Sequence, residues 1–204
     1  MMRRSAALCA VTVLSVAACA PDQRPAPTGV ELRVPLFAAG GNKDVNFGTH
    51  LTGDEEVLNV PAGAPTPADS KGQGQAIFRV SDDGQSVDYK LVASNIDNAF
   101  MARIHMAPAG SNGPIVMWLY PSTATVPGPF GQGRIDGVIA EGTFTAANLV
   151  GPLRGHPLSD LLAAIQAGNA YVNAHTNDGV APTNTGPGDF PGGEIRGQLD
   201  EHNH

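Results

Sequence analysis

Three of the six histidines lie in segments whose apolar and polar residues alternate, as they do in β-strands. In such a segment side chains two residues apart share a face, so His105 lies beside Arg103 and His175 beside Asn173. Two imidazoles that meet across a sheet could bind copper or zinc, with His50 or Asn173 as a third ligand. The alternative is structural: each imidazole hydrogen-bonds a backbone carbonyl and fixes a loop to its strand.

Charged residues in the same segments predict a polar cluster. Glu194 and Arg196 share one face of a late strand, and a buried Arg103 would need a carboxylate, either Glu56 or Glu194. We therefore predict a structural polar cluster of Glu56, Arg103, Asn173, Glu194 and Arg196, the alternative being that this polar face is solvated. A weaker hypothesis makes Glu56 and Glu194 the carboxyl pair of a hydrolase, which requires both to face one cleft.

The sequence lacks the motifs of common catalytic centres: a Gly-x-Ser-x-Gly turn, a His-Glu-x-x-His helix, a phosphate-binding glycine loop and cysteine-rich metal spacing. We assign no catalytic residue and favour a non-enzymatic role. No cofactor is predicted. Copper or zinc would be bound only if the histidine hypothesis is correct. Acidic residues outnumber basic ones by 19 to 12, for a net charge of -7, which excludes a basic nucleic-acid-binding protein.

The first residues have the features of an export signal. Arg3 and Arg4 precede a mostly apolar run over residues 6–18, which as a helix would rise about 20 Å, too short for the roughly 30 Å hydrocarbon core of a bilayer. The run ends in Val-Ala-Ala-Cys at residues 16–19, which resembles the lipobox of bacterial lipoproteins and implies lipidation of Cys19. The alternative is an ordinary Ala-x-Ala cleavage with Cys19 incidental.

These features divide the chain and give its location. Residues 1–18 are predicted to be a lipoprotein-type signal peptide, and residues 19–44 a Pro/Gly-rich tether. Cys9 lies in the signal, so the mature chain has no cysteine pair for a disulfide,. We expect an exported protein of the bacterial envelope, in the periplasm or at the cell surface, whose membrane partner is reached through the lipid.

From Val45 onward the pattern is that of short strands. Two runs in which apolar and polar residues alternate flank Asp-Asp-Gly-Gln at residues 82–85. This pattern strongly indicates a β-hairpin. Ser159 is a candidate N-cap for a short helix whose apolar stripe (Leu161, Leu162 and Ile165) ends before Gly168. About eight strands and one covering helix predict an all-β sandwich or barrel over residues 45–200, followed by a disordered tail over residues 201–204.

Five segments carry a family resemblance. Residues 51–57 read LTGDEEV, residues 103–105 and 112–116 read RIH and NGPIV, residues 168–176 read GNAYVNAHT, and residues 193–199 read GEIRGQL. In this order they resemble the CHRD domain, named after chordin and also found in bacterial secreted proteins. The resemblance implies an immunoglobulin-like β-barrel with no established enzymatic activity. The family usually has histidine where this chain has Arg103, which weakens the metal hypothesis because a guanidinium ligates nothing.

The functional hypothesis is a non-enzymatic binding or structural role at the envelope, with an unknown protein or glycan as partner. Loops are expected to carry the contacts, because a small β scaffold presents them at its ends. Phe130 and Phe190 lie in such loops and are candidate exposed contacts; the alternative is that they cover the core. Trp118 alternates with Val116 and Tyr120 and is assigned to the core.

Overall fold

The computed structural model describes residues 46–58, 60–121 and 127–202. The predicted signal peptide over residues 1–18, Cys19 and the tether over residues 19–44 lie outside the described residues and stay predictions. Within the described part of the chain, none of the helical segments has the length and apolar character needed to cross a bilayer.

The described residues form one antiparallel sheet, as the sequence pattern predicts. Its strands are β1 (Asn46–Thr52), β2 (Gln73–Val80), β3 (Ser86–Asp97), β4 (Ala99–His105), β5 (Ile115–Tyr120), β6 (Arg134–Thr145), β7 (Tyr171–Thr176), β8 (Ile195–Gln198) and β9 (Asp200–His202). Their order across the sheet is β5-β4-β7-β8-β1-β2-β3-β6, and β9 pairs with β1. The all-β prediction is confirmed.

The sheet curls into a nearly closed barrel around an apolar interior. The hydroxyl of Tyr89 on β3 donates to the carbonyl of Leu119 on β5 at 2.9 Å, although these strands lie near opposite ends of the sheet order. The alternation predicted from the sequence puts Phe47 and Leu51 of β1 in this interior, fully buried. Burial of such side chains is the main favourable term in folding.

The predicted hairpin is confirmed between β2 and β3. Its turn uses Gly84 at φ +69°, a left-handed conformation that favours glycine,. The carboxylate of Asp83 accepts hydrogen bonds from the hydroxyl of Ser81 at 2.7 Å and from the amide of Gln85 at 3.0 Å. The turn therefore fixes the register of the two strands through local contacts.

The covering helix is present but begins two residues earlier than the predicted cap at Ser159 implies. Helix α1 (Leu158–Gln166) has Pro157 as its N-cap residue, so Ser159 lies inside the first turn. Pro157 accommodates this position because its fixed φ is compatible with the extended N-cap conformation. The apolar stripe is confirmed, since its side chains are buried: Leu158, Leu161, Leu162 and Ile165.

The end of the chain differs from the prediction. We expected a disordered tail over residues 201–204, but Glu201 and His202 belong to β9, which pairs with the first residues of β1. Residues 203 and 204 lie outside the described residues. Unpaired backbone groups at the edge of β1 explain the difference, because β8 pairs with β1 only at Thr52 and leaves the other end available to β9,.

Candidate functional site

The outer face of β4, β7 and β8 carries a row of polar and aromatic side chains. Arg103 on β4 pairs in register with Asn173 on β7, which pairs with Arg196 on β8. In the neighbouring row, His105 pairs with Tyr171. We call the following seven residues the outer-face cluster: Glu56, Arg103, His105, Tyr171, Asn173, His175 and Arg196.

Loops bury this face instead of leaving it in water. All six residues of β7 are buried, including the three polar ones that point away from the barrel interior. The covering groups include Gly113, whose carbonyl bonds to His105, and Pro191, whose carbonyl bonds to His175. The cluster is therefore a polar layer between the sheet and its loops, where unpaired charge and unmade hydrogen bonds are costly.

Both nitrogens of His175 are engaged. Its Nδ1 lies 3.0 Å from the carbonyl of Pro191, and because a carbonyl only accepts, Nδ1 carries the hydrogen and donates it,. Its Nε2 accepts from Nη2 of Arg103 at 2.9 Å and lies 3.0 Å from Oδ1 of Asn173. Burial, and then the positive charge of Arg103, hold the pKa of His175 well below 6.5. His175 is therefore a neutral side chain that joins β7, β4 and a loop.

His105 has one engaged and one free nitrogen. Its Nδ1 donates to the carbonyl of Gly113 at 2.9 Å, and its ring stacks on Tyr171 with centroids 4.9 Å apart and planes 12° apart. Its Nε2 is buried and has no hydrogen-bond partner among the described residues. Burial lowers the pKa of His105 to about 4, with a smaller contribution from the charges of Arg103 and Arg196. His105 is therefore neutral at pH 7, with a free lone pair on Nε2.

The predicted site of three histidines is not formed. The rings of His105 and His175 lie with centroids 6.3 Å apart, but His50 is exposed on β1, which β7 and β8 separate from β4. Three strand spacings amount to about 14 Å, too far for one ion with bonds of roughly 2 Å. The described residues contain no group of three or more His, Cys, Asp or Glu side chains placed to hold a metal. Including His50 in one site was wrong.

Arg103 lacks the carboxylate partner that the sequence predicted. Its guanidinium lies 5.1 Å from the centre of the Trp118 ring, and its Nε is buried without a hydrogen-bond partner in the described part of the chain. The ion pairs among the described residues are Lys90–Glu141, Arg134–Asp136 and His156–Asp160, and none involves Arg103. Trp118, assigned to the core, instead lies partly exposed under Arg103 on the outer face.

Arg196 is fully buried and fastens the loop between β4 and β5. It is 1% exposed, and its guanidinium lies 3.5 Å from the centre of the Tyr171 ring. Its Nη2 donates to the carbonyl of Ser111 at 2.8 Å, and its Nη1 donates to Oδ1 of Asn112 at 3.1 Å. The buried charge of Arg196 is therefore stabilised by an aromatic face and neutral carbonyl acceptors, and none of the ion pairs among the described residues involves it,.

Glu56 closes the cluster from the segment after β1. Burial raises its pKa from 4.5 to about 7, while Asn173 and the charge of Arg196 act in the opposite direction. Its Oε1 is buried with no hydrogen-bond partner among the described residues. A Cβ on Gly193 would lie 2.3 Å from that oxygen, so only glycine leaves room for this carboxyl group.

Glu194 is fully buried but makes its contacts elsewhere. Its Oε1 accepts from the hydroxyl of Ser70 at 2.5 Å, and its Oε2 accepts from the hydroxyl of Thr176 at 2.6 Å and from the amide of Gly188 at 2.8 Å. Oε2 therefore joins the loop at Gly188 to β7, and Oε1 joins the segment at Ser70 to the residue that precedes β8. The structure brings Glu56, Arg103, Asn173 and Arg196 together on the outer face. The two carboxyl groups of the hydrolase hypothesis, Glu56 and Glu194, belong to different hydrogen-bond networks among the described residues.

The two aromatic loop residues differ in exposure. Phe190 is fully buried, and its amide donates to the hydroxyl of Thr176 at 2.9 Å, so it was wrong as an exposed contact. Phe130 is 50% exposed and packs edge-to-face on Phe100 with ring centroids 5.1 Å apart. Val180 is 64% exposed in the following loop.

Sequence reasoning did not assign one member of the outer-face cluster, Tyr171, or two loop residues that bond to it, Asn112 and Gly113. Tyr171 shares the face of Asn173 and His175, so the alternation could have identified it. Asn112 and Gly113 lie in a loop, and no local pattern indicates that they bond to Arg196 and His105.

A comparison with protein-family models matches residues 47–199 to the CHRD domain. The matched range contains every member of the outer-face cluster, together with the strands that carry them. No curated protein matches the chain, and no solved structure matches it.

Proposed function

The chain belongs to the CHRD domain family, and from that premise we propose that it is a non-enzymatic binding module of the bacterial envelope, anchored by lipid on Cys19. The observation that carries the binding role is the outer-face cluster. It gathers buried cations and neutral imidazoles under loops, yet it offers no nucleophile paired with a base and no carboxyl pair. Such an arrangement supports recognition of a polar ligand.

The exposed aromatic end of the barrel supports a macromolecular partner, a protein or a glycan. The backbone of Gly131, next to Phe130, donates to the carbonyl of Asn177, which joins this loop to the loop that carries Val180. The two exposed apolar side chains thus lie on loops that are held together. Aromatic side chains on a rigid scaffold are common contact residues at protein interfaces.

The lipid anchor is tested by metabolic labelling with a fatty acid. The full-length chain, expressed in a bacterial host, should incorporate the label and fractionate with membranes, and Cys19→Ser should abolish both. Cys9→Ser is the matched control, because Cys9 lies within the predicted signal and should leave labelling unchanged. An unlabelled parent chain, or a Cys19→Ser variant labelled as strongly as the parent, would refute the anchor.

A copper or zinc carrier or redox enzyme is the second candidate. One observation favours it: His105 donates from Nδ1 to a carbonyl and keeps Nε2 free, as metal-bound histidines do,. Against it, His175 would have to give up its contacts, and the Arg103 cation repels a metal ion. Elemental analysis of protein purified without a polyhistidine tag separates the candidates. Stoichiometric metal, lost in a His105→Ala/His175→Ala double variant, would favour the metal function.

A further inference from the structure

Buried polar atoms without partners concentrate in one part of the molecule. Among the described residues, seven buried side-chain nitrogen or oxygen atoms have no hydrogen-bond partner. Three of them belong to the outer-face cluster: Oε1 of Glu56, Nε of Arg103 and Nε2 of His105. Since buried polar groups in native proteins are nearly always paired, several orphans in one cluster point to a ligand that supplies the missing bonds.

The orphan atoms of β4 differ in chemistry. Nε of Arg103 carries a hydrogen and only donates, whereas Nε2 of His105 only accepts because Nδ1 holds the hydrogen for Gly113,. The two residues are two apart on the same strand and point to the same face. A ligand that satisfies both must accept a hydrogen bond from a cation and donate one to a neutral imidazole.

The net charge of the outer-face cluster indicates whether its ligand is an anion or a cation. Arg103 and Arg196 are both cations, and the described residues place no carboxylate within ion-pair distance of either. His105 and His175 are neutral, and the carboxyl group of Glu56, whose pKa burial raises to about 7, supplies at most one negative charge against the two guanidinium groups. The cluster therefore holds excess positive charge within a chain whose net charge is -7. An anion compensates this charge, whereas a metal cation adds to it.

We propose that the outer-face cluster binds a small protonated oxyanion, with hydrogen phosphate as the representative member. An ionised oxygen accepts from Nε of Arg103, and the remaining P–OH donates to Nε2 of His105. Access is from the side of Arg103, which is partly exposed, whereas His105 is 8% exposed. The inference rests on the proposed binding role and names the ligand class of that site.

The test compares inorganic phosphate with sulfate on the purified full-length chain at pH 7. Sulfate has the same shape but carries no hydrogen at this pH, so it cannot donate to His105. We expect one phosphate per chain by calorimetry and at least tenfold weaker binding of sulfate. Fluorescence of Trp118, the single tryptophan, gives a second readout, because Arg103 lies over its ring.

Two variants assign the binding to the named atoms. Arg103→Gln should weaken phosphate binding at least tenfold, whereas Arg79→Gln, which removes an exposed cation on β2, should leave it unchanged. His105→Asn keeps an N–H group near Gly113 but removes the Nε2 acceptor, so phosphate affinity should fall to that of sulfate. A thermal melt of each variant confirms that it is folded.

Several outcomes would overturn the proposal. Phosphate that gives no saturable signal at millimolar concentration would do so, as would sulfate that binds the parent chain as tightly as phosphate. Both comparisons use the unaltered chain, so they stand even if a variant fails to fold. The result is independent of the lipid anchor, because phosphate binding that persists without fatty-acid labelling would refute the anchor alone.

Discussion

Replacing Arg196 by alanine should lower the free energy of unfolding by about 4 kcal/mol. The change removes a guanidinium that is 1% exposed and stacks on Tyr171 at 3.5 Å. It also leaves the carbonyl of Ser111 and Oδ1 of Asn112 without their donor under the loop. Loss of buried packing and of several hydrogen bonds at one position places this among the largest effects expected of a single substitution.

Urea denaturation followed by Trp118 fluorescence measures this effect. Arg79→Ala is the matched control, since Arg79 is exposed on β2 and should change stability by less than about 0.5 kcal/mol. Arg196→Lys keeps the charge but loses the planar fork that stacks and donates twice, so it should lie between the parent and Arg196→Ala. An Arg196→Ala variant within about 1 kcal/mol of the parent would contradict this account.

The parts of the fold that follow from local chemistry could be read from the sequence. Alternation with a period of two places Phe47 and Leu51 in the interior, and the Asp-Gly pair marks the hairpin at Gly84. The apolar stripe of α1 is equally local, since its spacing alone identifies the buried face. In each case the residues that decide the structure lie within a few positions of one another.

The candidate site depends on long-range contacts that no local pattern encodes. Alternation identifies which face of β7 carries Asn173 and His175, but not that loops bury it. The partners of Arg103 and Arg196 illustrate the limit. A carboxylate is the expected partner of a buried arginine, whereas the fold supplies an imidazole, aromatic rings and loop carbonyls.

Aromatic residues show the same limit. Phe190 lies among glycine and proline residues, which favours an exposed loop, yet its amide donates to the hydroxyl of Thr176 on β7, the loop is held against the sheet, and the ring is buried. Trp118 follows the alternation of β5, but a bulge in the pairing of β4 with β5 lies between Ala102 and Arg103. A bulge changes which side chains share a face, so the tryptophan lies on the outer side under Arg103.

Glu56→Gln should stabilise the protein at pH 8 by about 3 kcal/mol and leave its stability unchanged at pH 4. Burial raises the pKa of this carboxyl group from 4.5 to about 7, so the folded state holds its proton more tightly than the unfolded state does. Stability is therefore lost as the pH rises from 4.5 to 7, and the loss is complete above pH 7. Glutamine carries no charge at any pH, so the variant lacks this loss of unfolding free energy with rising pH.

The measurement is the difference in unfolding free energy between the parent chain and Glu56→Gln, taken by urea denaturation across pH 4 to 8. The pKa values of His105 and His175 are also lower in the folded state than in the unfolded state, so both residues make stability depend on pH. Because both proteins contain them, their contribution cancels in the difference, and that difference reports on Glu56. Glu55→Gln is the matched control, because its neighbouring carboxylate is exposed. A variant less stable than the parent at pH 8 would mean that Arg196 stabilises an ionised Glu56 by more than burial disfavours it.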